Sequence, residues 1–224
     1  SLSLSNAHSK LRKVVLHYLK KNIIVFVIGG SNDQSYPNVR ALMDYCLLND
    51  YTIDVINIDA HLDVRPLKNG LAHSGSPFFQ MLNDEDFNKL SGLFVEYSCQ
   101  GEQCSNEHAK FVKDKGHYIK WLSEVGLYDY DDFQKFLNKF KNNKMFFSFD
   151  IDSIKSSDCP GVSCPGIRGL NVMRVFEMCF LAGQKESIVL FDISEFNPKI
   201  EDFRTGKLVF YMFYYFLCGM SSIN

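Results

Sequence analysis

Four short apolar runs, rich in β-branched and aromatic residues, recur along the chain. They are residues 23–28 (IIVFVI), 53–58 (IDVINI), 145–149 (MFFSF) and 188–193 (IVLFDI). Runs of this length predict strands, and near-continuous apolarity is typical of strands buried on both faces of a parallel sheet. Each run therefore predicts a buried strand.

The segments between these runs have apolar positions at helical spacing. Such a pattern predicts amphipathic helices over residues 38–49, 131–141, 171–181 and 205–218. Strands that alternate with helices predict an α/β fold with a parallel sheet. Since no repeat, low-complexity tract or linker marks a boundary, we expect residues 1–224 to form one domain.

Composition narrows the functional classes. The 224 residues are 46% hydrophobic and 22% charged, with a formal net charge of −2 and no basic stripe, so binding of nucleic acid through bulk electrostatics is disfavoured. The seven cysteines form no C-x-x-C pair, which favours reduced thiols in a cytoplasmic protein. The most apolar stretch, residues 209–220, is shorter than the roughly 20 residues of a membrane span, and it predicts a buried helix with no role in a membrane.

Polar side chains follow each predicted strand. The segments are 29–33 (GGSND), 59–63 (DAHLD), 150–152 (DID) and 194–198 (SEFNP). In open α/β sheets, ligands bind beyond the carboxyl ends of the strands. Side chains two positions apart on an extended chain point the same way, so Asp59, His61 and Asp63 are expected to share one face. By the same spacing, Asp150 and Asp152 are expected to share one face of their own segment.

Acidic side chains brought to one edge repel each other unless a cation lies among them. Carboxylates with one imidazole suit Mn²⁺, Mg²⁺ or Zn²⁺, and carboxylate-dominated sets favour the first two. A single D-x-H-x-D segment is most often a solvated loop. The D-x-D segment at an equivalent strand end changes this interpretation, because two clusters at one edge predict a metal site.

With all four segments in view, the sequence resembles the ureohydrolase superfamily, which includes arginase, agmatinase and formimidoylglutamase. The resemblance runs from about residue 23 to about residue 220, and DAH-x-D followed by SFD-x-D is its most specific part. Residues 72–79 (AHSGSPFF) and 160–170 (PGVSCPGIRGL) resemble formimidoylglutamases most. The resemblance implies an arginase-like, three-layer α/β/α fold with a mostly parallel central sheet.

The resemblance also implies chemistry. Two Mn²⁺ ions would activate a water, with Asp59 and Asp150 bridging both ions, His61 and Asp152 completing one site and Asp63 belonging to the other. The implied reaction is hydrolysis of a linear amidine C–N bond, most closely that of N-formimidoyl-L-glutamate to L-glutamate and formamide. The partner is then a small-molecule amidine or guanidine, and a homo-oligomer is expected because relatives are commonly multimers.

Three further residues receive roles from the resemblance. Glu195 matches the family's E-x-NP acid and would pair with the planar, cationic substrate, although an acid before Asn197-Pro198 also suits a helix N-terminus. His73 lies near the position of a proton-shuttling histidine, and it equally fits an ordinary surface histidine. Arg168 would hold a substrate carboxylate, or it is a solvated loop charge.

Two departures from the family pattern bear on activity. Asn32 stands where the family's GG-x-H motif has its first metal ligand, and an amide oxygen is a poorer donor than imidazole, so the site that contains Asp63 is expected to be weakened. Asp33 would replace Asn32 as a ligand only if its side chain pointed to the same side of the chain as that of Asn32. In addition, the chain has only 28 residues before Gly29, an apparently short N-terminus. The alternative function is therefore a metal-impaired, non-catalytic relative that acts as a binding or regulatory protein.

Overall fold

A computed structural model describes residues 2–125, 130–140 and 144–223. At its centre is a six-stranded sheet in which every strand pair is parallel, with the order β1-β6-β5-β2-β3-β4. The strands are β1 (Val25–Ile28), β2 (Ile53–Ile58), β3 (Leu93–Cys99), β4 (Tyr118–Trp121), β5 (Lys144–Asp150) and β6 (Ile188–Ser194). The short strands β1 and β4 form the two edges.

Helices connect the strands and cover both faces of the sheet. In the described part of the chain they are α1 (Leu2–Leu19), α2 (Ser35–Asn49), α3 (Pro77–Leu82), α4 (Glu85–Lys89), α5 (Asn106–Asp114), α6 (Tyr130–Leu137), α7 (Val172–Gln184) and α8 (Phe203–Ser221). Helices α1 to α5 contribute to one buried apolar cluster, and α6 to α8 contribute to the other.

The alternation of side chains along the central strands separates the two clusters. In β5, Phe146 packs in the first cluster and its neighbour Phe147 packs in the second, and Leu190 and Phe191 of β6 divide in the same way. Successive strand residues point to opposite faces, so one strand supplies both cores. The three-layer α/β/α architecture with a parallel sheet, expected from the resemblance, is confirmed.

The four predicted strands exist, but one of them is not buried. All six residues of β2 are buried, whereas β1 begins only at Val25, and its Ile28 is 49% exposed. Burial on both faces is therefore wrong for β1, because this strand pairs only with β6. Strands β3 and β4 were not predicted, since Glu96 and Lys120 interrupt their apolar patterns.

The predicted helices lie at the right places with shifted ends. Helix α2 begins at Ser35 rather than at residue 38, and Pro37 lies in its first turn, where a missing N–H costs nothing. Helix α6 ends at Leu137, and residue 141 of the predicted segment lies outside the described residues. Helix α1 was not predicted at all, although its Val15 and Leu19 are buried.

The aromatic stretch over residues 209–220 is only partly buried, which corrects the expectation of a buried helix. It lies in α8, where Met212 and Phe216 face the core while Phe210 and Tyr214 are exposed. Among the described residues, none of the helices has the length and apolarity that crossing a membrane requires.

Candidate active site

The candidate residues lie at the carboxyl ends of four neighbouring strands, β1, β6, β5 and β2. Asp59 follows β2 directly, Asp150 is the last residue of β5, and Glu195 follows β6. Asn32 opens a 3-10 turn after β1. Because parallel strands end at one edge of the sheet, segments that are distant in sequence meet there.

Two acidic loops are built in the same way. The backbone N–H of His61 donates to Asp59 Oδ1 (2.7 Å), and the backbone N–H of Asp152 donates to Asp150 Oδ1 (3.0 Å). In each loop the first Asp thus closes a tight turn with the residue two positions later. The extended spacing assumed from the sequence is absent here; these turns are what bring the side chains together.

The structure brings Asp59, His61, Asp150 and Asp152 into one cluster. One carboxylate oxygen from each of the three aspartates lies within 4.8 Å of the others. His61 Nδ1 is 3.2 Å from Asp152 Oδ2 and 3.4 Å from Asp59 Oδ1. On its other side, His61 Nε2 is 3.8 Å from the Sγ of Cys164. The imidazole therefore lies between the carboxylates and an exposed thiol.

Asp63 and Glu195 complete the acidic group, and both have left-handed backbone conformations, with φ of 39° and 64°. Non-glycine residues rarely adopt such φ values, which tend to occur at functional sites. The backbone N–H of Glu195 donates to Gly30 O (2.5 Å), and Glu195 Oε1 accepts from the backbone N–H of Asn32 (3.1 Å). These contacts tie the end of β6 to the end of β1.

The electrostatics of the cluster demand a positive charge. Burial, reinforced by the neighbouring carboxylates, raises the pKa values of Asp63 and Asp150 well above the ordinary range, and burial also raises the pKa of Asp152. Burial alone would lower the pKa of His61, but its hydrogen bonds to Asp152 and Asp59 raise it well above the ordinary value. The buried carboxylates must therefore take up protons or a cation.

The donor set fits a divalent metal ion. The Oδ1 atom of Asp152 is buried and has no hydrogen-bond partner among the described residues, which leaves an acceptor free at the centre of the cluster. Carboxylate oxygens with a single imidazole nitrogen are the ligands that Mn²⁺ accepts. Asp59, His61, Asp63, Asp150 and Asp152 could hold such an ion.

A buried pair behind Asp59 was missed by the sequence analysis. Asn57 Nδ2 donates to Asp59 Oδ2 (3.2 Å) and to Glu96 Oε2 (2.9 Å). Asn57 of β2 and Glu96 of β3 are neighbours across the two strands. Burial, followed by the charge of Asp59, raises the pKa of Glu96 well above its ordinary range. The signal was present in the sequence: a glutamate inside the apolar run LFVEYSC.

A cavity of about 380 Å³ opens onto the cluster. Its volume falls within the roughly 300–1,000 Å³ typical of small-molecule sites. Asp63, Asp150, Asp152 and Glu195 form its acidic part. The cavity is therefore suited at this end to a cation, whether a metal ion, a cationic organic group or both.

The remaining lining is neutral or basic, and apart from His61 none of its residues was predicted from the sequence. It includes Arg65, Ser74, Ser105 and His108. Among the described residues that line the cavity, Arg65 is the one with a permanently cationic side chain. The cavity thus has an acidic part and one half-exposed basic side chain, which suits a ligand that carries both signs of charge.

Three residues from the sequence analysis lie apart from the cavity lining. His73 Nε2 contacts Pro66 O (3.1 Å), and its Nδ1 accepts from the backbone N–H of Gly75 (3.2 Å). Arg168 is paired with Glu102 at 3.1 Å, and Asp33 is paired with His8 and Ser31 rather than with the acidic cluster. The catalytic role of His73 and the carboxylate-binding role of Arg168 stay predictions.

Known proteins resemble the chain over nearly its whole length. A formimidoylglutamase of Staphylococcus haemolyticus is 29% identical over 223 residues, which cover 96% of this chain and 67% of that protein. One from Rhodococcus jostii is 26% identical and is covered to 62% of its length. The chain therefore spans 67% of the length of the first relative and 62% of the length of the second.

Solved structures agree with this relationship. A Trypanosoma cruzi formiminoglutamase crystallised with Mn²⁺₂ superposes with a TM-score of 0.89 at 44% identity, covering 97% of this chain and 72% of that one. An arginase of Bacillus caldovelox, 20% identical with a TM-score of 0.77, shares the fold. The family model for arginases matches residues 2–219, and the chain belongs to the arginase family.

Proposed function

We propose that this chain carries the active site of a Mn²⁺-dependent hydrolase that cleaves N-formimidoyl-L-glutamate to L-glutamate and formamide. The observation that carries the proposal is the buried carboxylate cluster with a free oxygen, open to a cavity that contains Glu195. The names of the curated relatives and the Mn²⁺₂ of the T. cruzi structure support it.

The proposed metal ligands follow from the cluster and the family pattern. Asp59 and Asp150 would be shared between two ions, His61 and Asp152 would complete one site, and Asp63 would serve the other. Bound Mn²⁺ would supply the charge that lowers the pKa of water and polarises the amidine. The hydrogen bonds that close the two loops hold Asp59 and Asp150 in place before any ion arrives.

Glu195 is suited to the amidinium group of the substrate. Its carboxylate lines the cavity and is held by the backbone N–H of Asn32, so one oxygen is anchored while the group faces the acidic cluster. A carboxylate accepts two parallel N–H bonds from a planar cation, which orients the amidine carbon as well as binding it. Burial raises the pKa of Glu195, and a cationic substrate would favour its ionised form.

Arg65 is the side chain that best suits a substrate carboxylate. Its guanidinium lies against the backbone of Gly75, where a Cβ atom would overlap it, and its Nη2 is 3.6 Å from Asp63 Oδ1. This contact is an ion pair longer than a hydrogen bond, and the Arg65 side chain is about half exposed, so its guanidinium could also pair with a ligand carboxylate. Arg168, by contrast, lies outside the cavity lining and is paired with Glu102.

Substrate selectivity separates the two arginines. We expect Arg65→Gln to lower the ratio of kcat/KM for N-formimidoyl-L-glutamate over N-butylformamidine, which lacks carboxylates, by about 10- to 100-fold. Arg168→Gln is the matched comparison. If the ratio falls for Arg168→Gln and not for Arg65→Gln, then Arg168, and not Arg65, binds the substrate carboxylate.

The test of the function is formamide release by protein loaded with Mn²⁺ and by protein treated with a chelator. Asp150→Asn should abolish release, whereas Asp114→Asn, which removes an exposed carboxylate on α5, should not. Mn²⁺ content is measured on the same samples. If the Mn²⁺-loaded chain hydrolyses no amidine, the proposal is wrong.

The second candidate is a non-catalytic, metal-impaired relative, and Asn32 favours it. Its amide nitrogen, not its oxygen, faces Asp63 at 2.8 Å. A chain that binds Mn²⁺ but releases neither formamide nor urea would support this alternative. A homo-oligomeric state and a single domain over residues 1–224 stay predictions under both functions.

A further inference from the structure

An exposed thiol lies against the outer side of the His61 imidazole. The Sγ atom of Cys164 is 3.8 Å from His61 Nε2 and 3.9 Å from Gln103 Oε1. The other ring nitrogen of His61, Nδ1, faces the carboxylates of Asp152 and Asp59. Because a thiol is only a weak hydrogen-bond donor, these long contacts stabilise it little, and the sulfur remains available to a stronger partner.

The loop that carries Cys164 is held by backbone hydrogen bonds on both sides of the thiol. Before it, Gly161 O accepts from the backbone N–H of Asn197 (2.8 Å). After it, Gly166 O accepts from the backbone N–H of Ser156 (2.7 Å). These contacts fix the path of the chain, so the position of the sulfur beside His61 is built into the fold.

Three ligand groups of different chemistry converge at this point. The Cys164 sulfur, a ring nitrogen of His61 and a carboxylate oxygen of Asp152 all lie within 4.8 Å of one another. Asp152 is 3% exposed, and its buried Oδ1 has no hydrogen-bond partner among the described residues. Thiolate, imidazole and carboxylate are all ligands of Zn²⁺, which three protein side chains can hold while water takes the fourth position. Mn²⁺ prefers oxygen ligands, so the thiol distinguishes this set from the carboxylate cluster.

We propose that Cys164, His61 and Asp152 form an inhibitory site for a thiophilic divalent cation, Zn²⁺, which overlaps the carboxylate cluster. Binding replaces the thiol proton of Cys164 with the metal ion and releases that proton to the solvent. An ion held there engages His61 and Asp152, two of the proposed Mn²⁺ ligands, and occupies the cavity that Cys164 also lines. The binding of Zn²⁺ does not depend on the proposed function, whereas the inhibition rests on it.

Co²⁺ is the spectroscopic probe for this site, because a thiolate bound to Co²⁺ gives a charge-transfer band in the near ultraviolet that carboxylate and imidazole ligands do not give. We expect the band to rise and saturate as Co²⁺ is added to the metal-free chain, and to disappear when Zn²⁺ displaces Co²⁺. Cys164→Ser should lack the band. Cys104→Ser is the matched control, because Cys104 lines the same cavity but its Sγ donates to Ala60 O (3.4 Å).

Three results of the Co²⁺ titration would overturn the proposal. They are the absence of a thiolate band in the unaltered chain, a band that persists in Cys164→Ser, and a band that is lost in Cys104→Ser. Because Cys164 is exposed, its replacement by serine should leave the fold intact, and circular dichroism of both variants checks this.

Inhibition is measured on the Mn²⁺-loaded chain. Zn²⁺ should suppress formamide release, and the Zn²⁺ concentration for half inhibition should rise at least about tenfold in Cys164→Ser, since removing even a residue that only orients a ligand weakens metal binding 10- to 100-fold. Cys104→Ser should leave that concentration unchanged. Equal sensitivity of the unaltered chain and Cys164→Ser would mean that Zn²⁺ acts by replacing Mn²⁺ among the carboxylates, and the inhibitory role would be wrong.

The two proposals fail separately. If the Mn²⁺-loaded chain hydrolyses no amidine, the proposed function is wrong, while the Co²⁺ spectrum still decides whether Cys164 binds a metal. If the chain hydrolyses the amidine but gives no thiolate band, the function stands and the Zn²⁺ site is wrong.

Discussion

The loops after β2 and β5 are built alike but are supported very differently. Both carboxylate oxygens of Asp59 are within hydrogen-bond distance of donors: the backbone N–H of His61 at one, and the amides of Asn57 and Asn32 at the other. The loop after β5 has fewer donors. In the part of the chain that the structure describes, Asp152 Oδ1 has no hydrogen-bond partner, and its Oδ2 lies against His61.

This difference separates two ways of managing buried charge. Hydrogen-bond donors stabilise the carboxylate after β2 in the metal-free protein. The carboxylates after β5 have pKa values raised by burial and by each other, so their ionised forms depend on a cation. Asp59 is held by donors before any ion binds, whereas Asp63 and the carboxylates after β5, whose pKa values are raised, are completed by what binds to them.

The largest expected effect is on stability: removing the charge of Asp59 and removing the charge of Asp150 should change the free energy of unfolding in opposite directions. Asp59→Asn places an NH₂ against the Asn57 and Asn32 donors and should lower the free energy of unfolding by about 2–3 kcal/mol. Asp150→Asn keeps the acceptor for the Asp152 N–H and removes a buried charge, so it should raise the free energy of unfolding by about 1 kcal/mol. Urea denaturation with a chelator present measures both, and changes of the same sign would remove the distinction.

Metal-free stability should also fall as pH rises. The pKa values of Asp63, Asp150 and Asp152 are raised in the folded state, so their contribution is fully present below the ordinary carboxyl pKa of about 4 and is lost as pH rises through the folded values. His61, whose folded pKa is also raised, changes in the same direction. Thermal melts between pH 5 and 8 should show a falling Tm with chelator and a smaller fall with Mn²⁺; a Tm that rises with pH in chelator contradicts this.

A smaller effect is expected behind Asp59. Because the raised pKa of Glu96 favours its neutral form, Glu96→Gln should change the free energy of unfolding by less than about 1 kcal/mol. Glu96→Ala leaves a cavity and frees the Asn57 amide, which should cost about 2–4 kcal/mol and weaken Mn²⁺ binding about tenfold. Denaturation and calorimetry on both variants test whether Glu96 supports Asp59 through Asn57; equal losses in the two variants would mean that its charge matters.

The smallest effect on metal binding is expected at Asp33, beside Asn32 in sequence. Its carboxylate is paired with His8 and Ser31, so Asp33→Asn should change Mn²⁺ affinity less than about threefold. Stability should fall by about 1 kcal/mol, the usual value of one hydrogen bond. A loss of Mn²⁺ affinity comparable with that of Asp150→Asn would place Asp33 among the ligands after all.

Periodicity located the strands β1, β2, β5 and β6 but missed the interior strand β3 and the edge strand β4. Strands β2, β5 and β6 are buried on both faces, so apolar residues make up most of each sequence. In β3 a buried polar network requires Glu96, and in β4 an edge position admits Lys120. Local pattern cannot separate such a strand from a loop, because the partner that makes the polar residue acceptable is distant in sequence.

The sequence by itself determined the acidic segments of the site. DAHLD and DID lie at strand ends, and parallel strands in one sheet must end at the same edge, so the convergence of Asp59, His61, Asp150 and Asp152 followed from their positions at those ends. The tight turns that aim these side chains were not predicted. Only the tertiary structure decided which other side chains reach the cavity and which way a neutral amide faces. It brought Arg65 rather than Arg168 to the lining, and it turned the NH₂ of Asn32 toward Asp63. Such choices depend on hydrogen-bond partners that different strands and loops supply, and these meet only when the chain is folded.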